Sequence, residues 1–450
     1  MEMTLFRHRR RRSFLICLVG CVPLATVVLS CTSSSESIDT PAPPYLPNNQ
    51  GVWPTPAAYD DNTRPRAVIP DGGFDAEGVV PPLQIDGMDT GQPGVMYAAS
   101  LAGYFLLRMQ QADGSYQYEY RPDTGEFLWE DVIHRQIGPG YAVALLYEEL
   151  QREEFRRSAE WVFEYALPRV AEAGTSALRI ADIGATSIFV FGLSRLVRSG
   201  IVADRAWDDT LRGLGQHLLD LQTASGGFTE GSPLARGQAL QALSHVWLTF
   251  QDSEYLNALQ RSARYSCENW QDIDPDYLPY FILYANEALA TLYEETREAY
   301  LPECVYDMTE INLQDQYQDA DTSDVSWVGG FNKLAGGTPS WSAALKLEGI
   351  ADALRIARLD GDTEMQAQYE ERLRLGIPFV MRFQWRIGET ETWPHPETVL
   401  GGFPYLAPGS QGALAWPLSR TDLAWHGIAF FIKAARMLGE ETWPSYPDGE

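Results

Sequence analysis

Three ionisable residues stand at the start of an apolar segment near the C-terminus, LSRTDLAWHGIAFFIKAARML: Arg420, Asp422 and His426. Asp422 and His426 are four positions apart, so on a helix they project from one face about one turn apart. Helix capping explains an acid at this place, because a carboxylate accepts hydrogen bonds from the free N–H groups and complements the helix dipole. Capping does not need the histidine, which favours a chemical role for the pair.

Hydrolysis of a glycosidic bond is one reaction that such a pair serves. It needs a carboxylic acid that protonates the leaving oxygen and a carboxylate that activates water or attacks the sugar. We predict Asp422 as base or nucleophile and His426 as a group that orients it. The second carboxyl group is one of four acids that the sequence does not rank: Asp113, Glu119, Glu287 and Glu348.

Glu287 and Glu348 lie deep within the apolar segments YANEALATL and ALKLEGIADAL. Burial there is expected to raise the pKa of a carboxyl group, as a general acid requires. A buried structural role for either residue is the alternative.

Helices are the elements that must position these residues. Apolar residues recur at helical spacing and predict eleven helices, at 95–110, 138–150, 153–166, 182–199, 205–223, 235–250, 254–268, 277–295, 341–358, 363–385 and 422–438. Six of them are apolar on most faces, whereas those between carry one charged face, as outer helices do. This alternation predicts an all-α ring of helical hairpins with few strands. The polar, acidic segment 302–340 predicts a loop in place of one outer helix.

A turn motif supports the ring. FLLRMQQADGSY (105–116) and LLDLQTASGGF (218–228) share a Gln, three residues, a Gly, one residue and an aromatic residue, and FVMRFQWRIGET (379–390) matches the first half. The turn resembles the QW-type repeat of squalene-cyclase-like toroids. Over roughly residues 95–438 the chain resembles the (α/α)6 toroids that include the six-hairpin glycosidases.

The resemblance implies a substrate cleft where the inner helices begin. The residues at that end are His134, Asp182, Glu230, Arg236, Tyr277 and, as predicted substrate-binding residues, Arg135, Arg420, Tyr116, Glu119, Tyr280 and Trp341. Tyr118 lies in the same loop as Tyr116. The structural alternatives are an N-cap for Asp182, packed positions for His217 and His245, and ion pairs between hairpins for the arginines.

The N-terminus has the features of an export signal. Residues 1–30 hold five arginines and an apolar run, and Val28-Leu29-Ser30-Cys31 resembles the lipobox of bacterial lipoproteins. We predict a signal peptide (1–30), a lipidated Cys31 followed by a flexible tether and an irregular wrap (31–94), the toroid (95–438) and a tail (439–450). The predicted location is the bacterial cell envelope, with a membrane anchor that faces the periplasm or the exterior.

Charge and cysteine content limit the partners. The net charge is −27, and removing residues 1–30 makes it about −31, so nucleic acid is excluded as a partner. Histidines are few and no metal-binding spacing is present, so we predict no metal and no cofactor. Cys267 and Cys304 can form at most one disulfide between them.

The leading functional hypothesis is a carbohydrate-active enzyme of the cell envelope, most simply a glycoside hydrolase. The alternatives are a polysaccharide lyase or uronate epimerase, a terpenoid-cyclase-like toroid, and a noncatalytic lipoprotein that binds glycans or a partner. The sequence lacks the DxDD acid motif that would support a cyclase.

Overall fold

The computed structural model describes residues 92–130, 132–202, 206–385, 393, 395–404 and 418–439. Cys31, the predicted signal and tether, and the tail after 439 lie outside these residues. The described residues form these α-helices: α1 Gln92–Met109, α2 Ile133–Leu150, α3 Glu153–Ala166, α4 Ile183–Arg198, α5 Ala206–Leu221, α6 Pro233–Phe250, α7 Ser253–Asn269, α8 Leu278–Thr296, α9 Tyr300–Asp315, α10 Ala343–Asp360, α11 Thr363–Phe383, α12 Pro396–Val399 and α13 Thr421–Leu438.

Six of these helices form a closed inner ring. Helix α2 packs on α4, α4 on α6, α6 on α8, α8 on α10 and α10 on α13, and α13 packs on α2. The inner segments are buried on most sides because each touches two ring neighbours and an outer helix. This confirms the predicted (α/α)6 toroid and all six inner helices.

The outer layer consists of α1, α3, α5, α7, α9 and α11, each packed against two inner helices. Because consecutive long helices alternate between the layers, the six inner helices all begin at the same end of the ring, which we call the mouth. Asp182 caps α4, where its carboxylate accepts a hydrogen bond from Ala185 N. The structural alternative for Asp182 is therefore confirmed.

The prediction of a loop over 302–340 was wrong in its first half. Residues Tyr300–Asp315 form the outer helix α9, and the loop begins only at Gln316. Leu301, Val305 and Met308 are buried and lie on one helical face, which supplies the apolar stripe that an outer helix needs. Pro302 is tolerated because it lies in the first turn, where the helix lacks internal N–H partners.

The Gln turns confirm and extend the predicted repeat. Gln110 Nε2 donates to Ser158 O on α3, and Gln222 Nε2 donates to Ala258 O on α7. Gln316 and Gln384 make the same bond to Arg372 O on α11 and to Ala98 O on α1. At each of these four turns, the glutamine at the end of one outer helix therefore ties that helix to another outer helix.

A glycine in each turn allows the close approach. Gly114, Gly226, Gly329 and Gly401 all have positive φ, between 81° and 99°. A Cβ atom on any of them would overlap a backbone carbonyl of the partner outer helix, at Trp161, Arg261, Leu375 and Leu101 respectively. Only glycine satisfies both the backbone conformation and the contact.

Two of the connections in the outer layer do not use a Gln turn. Strands β3 (Ala171–Glu172) and β4 (Leu178–Arg179) form a small antiparallel pair between α3 and α4. A disulfide between Cys267 and Cys304 joins α7 to α9, with the Cα atoms 5.5 Å apart. The two cysteines left open by the sequence are thus paired.

A three-stranded sheet lies at the mouth. Its strands are β1 (Glu119–Arg121), β2 (Glu126–Leu128) and β5 (Ser419–Arg420), in the order β2-β1-β5. Strand β5 leads directly into α13, so the sheet joins the loop after α1 to the start of the last inner helix. The sheet is small, and the rest of the described chain is mainly helical.

We predict that Gly226→Ala lowers the free energy of unfolding by about 3 kcal/mol, because it combines backbone strain with overlap on Arg261 O. The matched control is Gly361→Ala, whose glycine also has positive φ but open space around it. That variant is expected to lose only about 1 kcal/mol. Urea unfolding measures both, and equal losses would contradict the close approach.

Candidate functional site

The sheet at the mouth determines which side chains meet there. Glu119 lies opposite Leu128 on one side and opposite Arg420 on the other. Residues directly opposite each other in an antiparallel sheet share a face. Glu119 and Arg420 therefore project together, and Arg420 Nε lies 3.8 Å from Glu119 Oε1.

Tyr118 organises the neighbouring charges. Its ring lies between two guanidinium groups, with Arg135 Cζ 4.2 Å and Arg420 Cζ 4.9 Å from the ring centroid. The hydroxyl donates a hydrogen bond to Asp422 Oδ2 at 3.0 Å. Burial raises the pKa of Tyr118, and the nearby charge of Asp422 raises it further, so the hydroxyl keeps its proton and acts as a donor.

Asp422 is held as a carboxylate. Arg420 donates to both of its oxygens, from Nε at 3.0 Å and from Nη2 at 2.5 Å. Burial on its own raises the pKa of a carboxyl group, but the charge and hydrogen bonds of Arg420 outweigh it and lower the pKa of Asp422. Asp422 therefore stays ionised in the acidic range.

The pKa of Glu119 is shifted in the opposite direction, although Glu119 also lies beside Arg420. Burial raises its pKa, and the negative charges of Asp422 and Glu130 add to that shift against the opposing effect of Arg420. Its side chain is 18% exposed, so it remains within reach of a molecule at the mouth. Two adjacent carboxyl groups thus have pKa values displaced in opposite directions.

Arg135 completes this group by pairing with Glu130. We define the mouth cluster as Tyr118, Glu119, Glu130, Arg135, Arg420 and Asp422. His134 precedes Arg135 at the start of α2, where burial and the charge of Arg135 lower its pKa to about 4. The histidine is therefore neutral at pH 7.

A second group of ionisable residues lies inside the ring. Lys433 Nζ bonds to Glu287 Oε2 and to Asp352 Oδ2, both at 2.7 Å. Because Glu287 is on α8 and Lys433 on α13, which are not ring neighbours, the contact crosses the interior. We define the axial cluster as His245, Glu287, Glu348, Asp352, His426 and Lys433.

The axial cluster corrects the expectation for Glu287. Burial alone favours a raised pKa, but Lys433 and the hydrogen bond from His245, 2.9 Å away, lower the pKa of Glu287 well below its ordinary value. An ionised, paired carboxylate does not serve as a general acid. Burial instead raises the pKa of Asp352 to about 6.

His426 and Glu348, both predicted as catalytic, lie together in the axial cluster. His426 Nδ1 is 2.7 Å from Glu348 Oε1, and its ring stacks on Trp425 at 4.4 Å between centroids. The structure therefore brings His426 to Glu348, whereas Asp422 is bound by Arg420 and Tyr118. Arg420 and Tyr118 therefore orient Asp422, a role that we had predicted for His426.

The remaining predicted residues are dispersed. Asp113 is exposed and accepts hydrogen bonds from Ser115 N and Oγ, which stabilise the first Gln turn. Tyr116 is fully buried, with its hydroxyl 2.8 Å from Ser158 Oγ, so it belongs to the core and not to the mouth. Tyr280 is half-buried in the first turn of α8. Trp341 is buried, 6.0 Å from the His426 ring.

Sequence reasoning missed Glu130, Asp352 and Lys433. A usable signal existed for Lys433, which is a lone charge within the apolar segment AFFIKAA, seven positions after His426 and thus on the same helical face. Asp352 likewise follows Glu348 by four positions and so lies on the same helical face. Glu130 carries no such signal, because its partner becomes apparent only when the loop folds back on α2.

Among the described residues, no group of three His, Cys, Asp or Glu side chains is placed to hold a metal ion. In the same part of the chain, no helix is both long enough and apolar enough to span a membrane.

Comparison with known proteins identifies the architecture. No protein-family model matches the chain, and no curated protein sequence does. Among solved structures, an inactive variant of the α-1,6-mannanase GH76A from Salegentibacter sp. HEL1_6, in complex with α-1,6-mannotetrose, matches with a TM-score of 0.52 and 10% identity. The match covers 76% of this chain and 99% of that one. The chain therefore shares the (α/α)6 toroid fold with this structure.

Two further toroids match equally well. A D-mannose isomerase gives a TM-score of 0.53 at 12% identity, and an unsaturated glucuronyl hydrolase specific for heparin gives 0.53 at 10%. Each match covers 76% of this chain, and 98% and 97% of the other chains respectively. These toroids catalyse different reactions, so the shared fold does not by itself select a chemistry.

The axial cluster generates a prediction for acid stability. Burial lowers the pKa of His245 to about 4, against 6.5 for an ordinary histidine, so the folded state resists protonation. The resulting stability is present above pH 6.5 and is lost as the pH falls toward 4, by roughly 3 kcal/mol.

We expect His245→Gln to flatten the decline in unfolding free energy between pH 7 and 4, as measured by urea unfolding at each pH. The control His395→Gln, at a side chain that is 36% exposed, is expected to keep the wild-type decline. An unchanged slope in His245→Gln would contradict the assignment.

Proposed function

We propose that this toroid is a carbohydrate-active enzyme that hydrolyses glycosidic bonds at the mouth cluster. The observation that carries the proposal is the pair Glu119 and Asp422, which flank one arginine and have pKa values displaced in opposite directions. Carboxyl groups with diverging pKa values are the acid and base that this reaction needs.

In the proposed reaction, Glu119 donates its proton to the glycosidic oxygen as the bond to the anomeric carbon breaks. Asp422 either removes a proton from the attacking water or attacks the anomeric carbon itself, with water then releasing the sugar. Either course adds one water across the bond. Glu119 recovers its proton before the next cycle.

Glu119 fits the role of acid better than the other three candidates. Asp113 is exposed and stabilises a turn, Glu287 is ionised beside Lys433, and Glu348 is hydrogen-bonded to His426 inside the ring. Glu119 combines a raised pKa with a position beside Asp422 at the mouth. Arg420 and Tyr118 hold Asp422 in place for either course of the reaction.

A lyase or epimerase is the second candidate, favoured by the position of Tyr118 between two guanidinium groups that could bind a substrate carboxylate. The raised pKa of Tyr118 opposes its use as a base. Product analysis separates the two: hydrolysis yields a new reducing end and no double bond, whereas a lyase yields an unsaturated, ultraviolet-absorbing sugar.

We predict that Glu119→Gln and Asp422→Asn each lower kcat/KM on a responsive oligosaccharide by a factor of about 10² or more, because each removes a group needed in the transition state. The screen starts with α-1,6-mannotetrose and extends to other neutral and acidic oligosaccharides. The control is Glu126→Gln, at an exposed acid on the same hairpin, which is expected to keep full activity.

Glycosyl fluorides make the test specific to the acid, since fluoride departs without protonation. On the fluoride, Glu119→Gln is expected to keep a kcat/KM close to the wild-type value, because kcat/KM reports the step in which fluoride departs, whereas Asp422→Asn is not. Activity lost only in proportion to the folded fraction, measured by thermal unfolding, would contradict both assignments. Glycan binding without turnover in the wild type would favour a noncatalytic lectin.

The same assignment predicts the pH profile. Activity falls at low pH as Asp422 gains a proton below its lowered pKa, and falls at higher pH as Glu119 loses its proton above its raised pKa. With the glycosyl fluoride as substrate, the high-pH decline is expected to disappear. A decline that persists would assign it to another group.

We further propose that the protein is exported and anchored in the bacterial cell envelope through Cys31. The basic and apolar N-terminal stretch and the sequence before Cys31 support this proposal. The Cys267–Cys304 disulfide also supports it, because such bonds persist in oxidising compartments.

Cys31→Ala is expected to move the protein from the membrane fraction to the soluble fraction, because the lipid supplies most of the membrane affinity. The matched control Cys21→Ala, ten positions earlier, is expected to stay with the membranes. Complete release of the wild-type protein by a high-salt wash would contradict lipid anchoring.

A further inference from the structure

We propose that Leu128 and Trp129 form a binding subsite for the sugar on the leaving-group side of the cleaved bond. The inference rests on the hydrolytic function proposed above and adds a direction to it. The ligand is a glycan with at least one further sugar ring beyond the scissile linkage.

Sheet register places Leu128 beside the proposed acid. Leu128 and Arg420 lie opposite Glu119 on its two sides, so one face of the sheet presents Leu128, Glu119 and Arg420 in that order. Asp422 follows Arg420 and is bound by it. Leu128 is therefore on the side of Glu119 away from Asp422.

The order of these residues along the sheet determines which of the two sugars occupies the subsite. The acid must reach the glycosidic oxygen, and the nucleophile or base must face the anomeric carbon. The sugar that is attacked therefore lies on the Asp422 side. The leaving sugar extends past Glu119 toward Leu128 and Trp129.

Exposure indicates that this surface is available. Trp129 is 44% exposed and Leu128 37%, and Trp129 is the first residue after the end of β2, where strand alternation no longer fixes the side on which a side chain lies. Glu130, the next residue, pairs with Arg135 and so ties the segment to the mouth cluster. An indole ring offers a flat apolar face, on which the C–H face of a sugar ring packs, together with an N–H donor for its hydroxyl groups.

The hairpin that carries the subsite is anchored from beneath. On its opposite face, Tyr120 is fully buried and its ring lies 4.7 Å from that of Phe127. Tyr118 N also donates to Leu128 O at 3.0 Å. The platform is thus held in place before a ligand arrives, which lowers the entropic cost of binding.

The test compares Trp129→Ala on two substrates with the same attacked sugar, an oligosaccharide and the corresponding glycosyl fluoride. We expect kcat/KM on the oligosaccharide to fall about tenfold or more, mainly through KM, and kcat/KM on the fluoride to stay within about twofold, because fluoride does not occupy the subsite. The control Trp161→Ala removes a similarly exposed indole, 37% exposed, on α3.

An equal loss on both substrates, an equal loss in Trp161→Ala, or no loss on the oligosaccharide would overturn the subsite. Because the platform is exposed, Trp129→Ala is expected to unfold at the wild-type temperature. Failure of the catalytic proposal has a different signature, namely full activity per folded molecule in Asp422→Asn.

A readout without turnover uses the Asp422→Asn protein in native gels that contain soluble polysaccharides. Retardation by at least one polysaccharide is expected, and it should weaken when Trp129→Ala is added. Absence of retardation by every polysaccharide, or retardation that the second substitution leaves unchanged, also counts against the subsite.

Discussion

The close approach between outer helices at the Gln turns is the contact on which the ring depends. Each turn places a backbone carbonyl of one outer helix where a Cβ atom would otherwise be, and a glutamine amide donates to a second carbonyl one helical turn away. Hydrogen bonds of this kind to buried carbonyls are costly to lose, because the acceptor is left unsatisfied. At these four turns they fix the spacing between outer helices, and the inner helices pack within the outer layer.

A ring of this kind also directs polar side chains to two places. Charged side chains that point into the ring lose most of their contact with water, so they neutralise one another, as Lys433 does with Glu287 and Asp352. Side chains at the mouth remain partly exposed, and their surroundings differ from one residue to the next. Asp422 and Glu119 differ in pKa because Arg420 bonds to both oxygens of the first and only approaches the second.

The sequence was sufficient for the architecture because the signals of a toroid are local. Alternating apolar and amphipathic segments identified every inner helix, and the short spacing in the turns of Gln110 and Gln222 revealed the repeat. The turn of Gln316 was missed because its glycine follows 13 positions later, compared with 4 at Gln110. Helix α9 was missed because its acidic residues and Pro302 conceal a regular apolar stripe.

The site was less predictable because its chemistry depends on distant contacts. The pKa of Glu287 was expected to rise, but Lys433, 146 positions later, reverses the effect of burial. Tyr116 was placed at the mouth although its hydroxyl meets Ser158 in the core, whereas Tyr118, two residues on, reaches Asp422. Four acids were equal candidates for one role, because a sequence carries no distances between helices.

The Gln turns allow the loops to vary in length while the ring of helices stays the same. The glutamine and the glycine both contact the partner helix, yet they are 4 positions apart in two of the turns, 13 in the third and 17 in the fourth. The chain between the two residues can therefore lengthen without moving either helix. Evolution can exchange such inserts at little cost to folding, and the same two residues mark where an engineer could graft new loops beside the mouth.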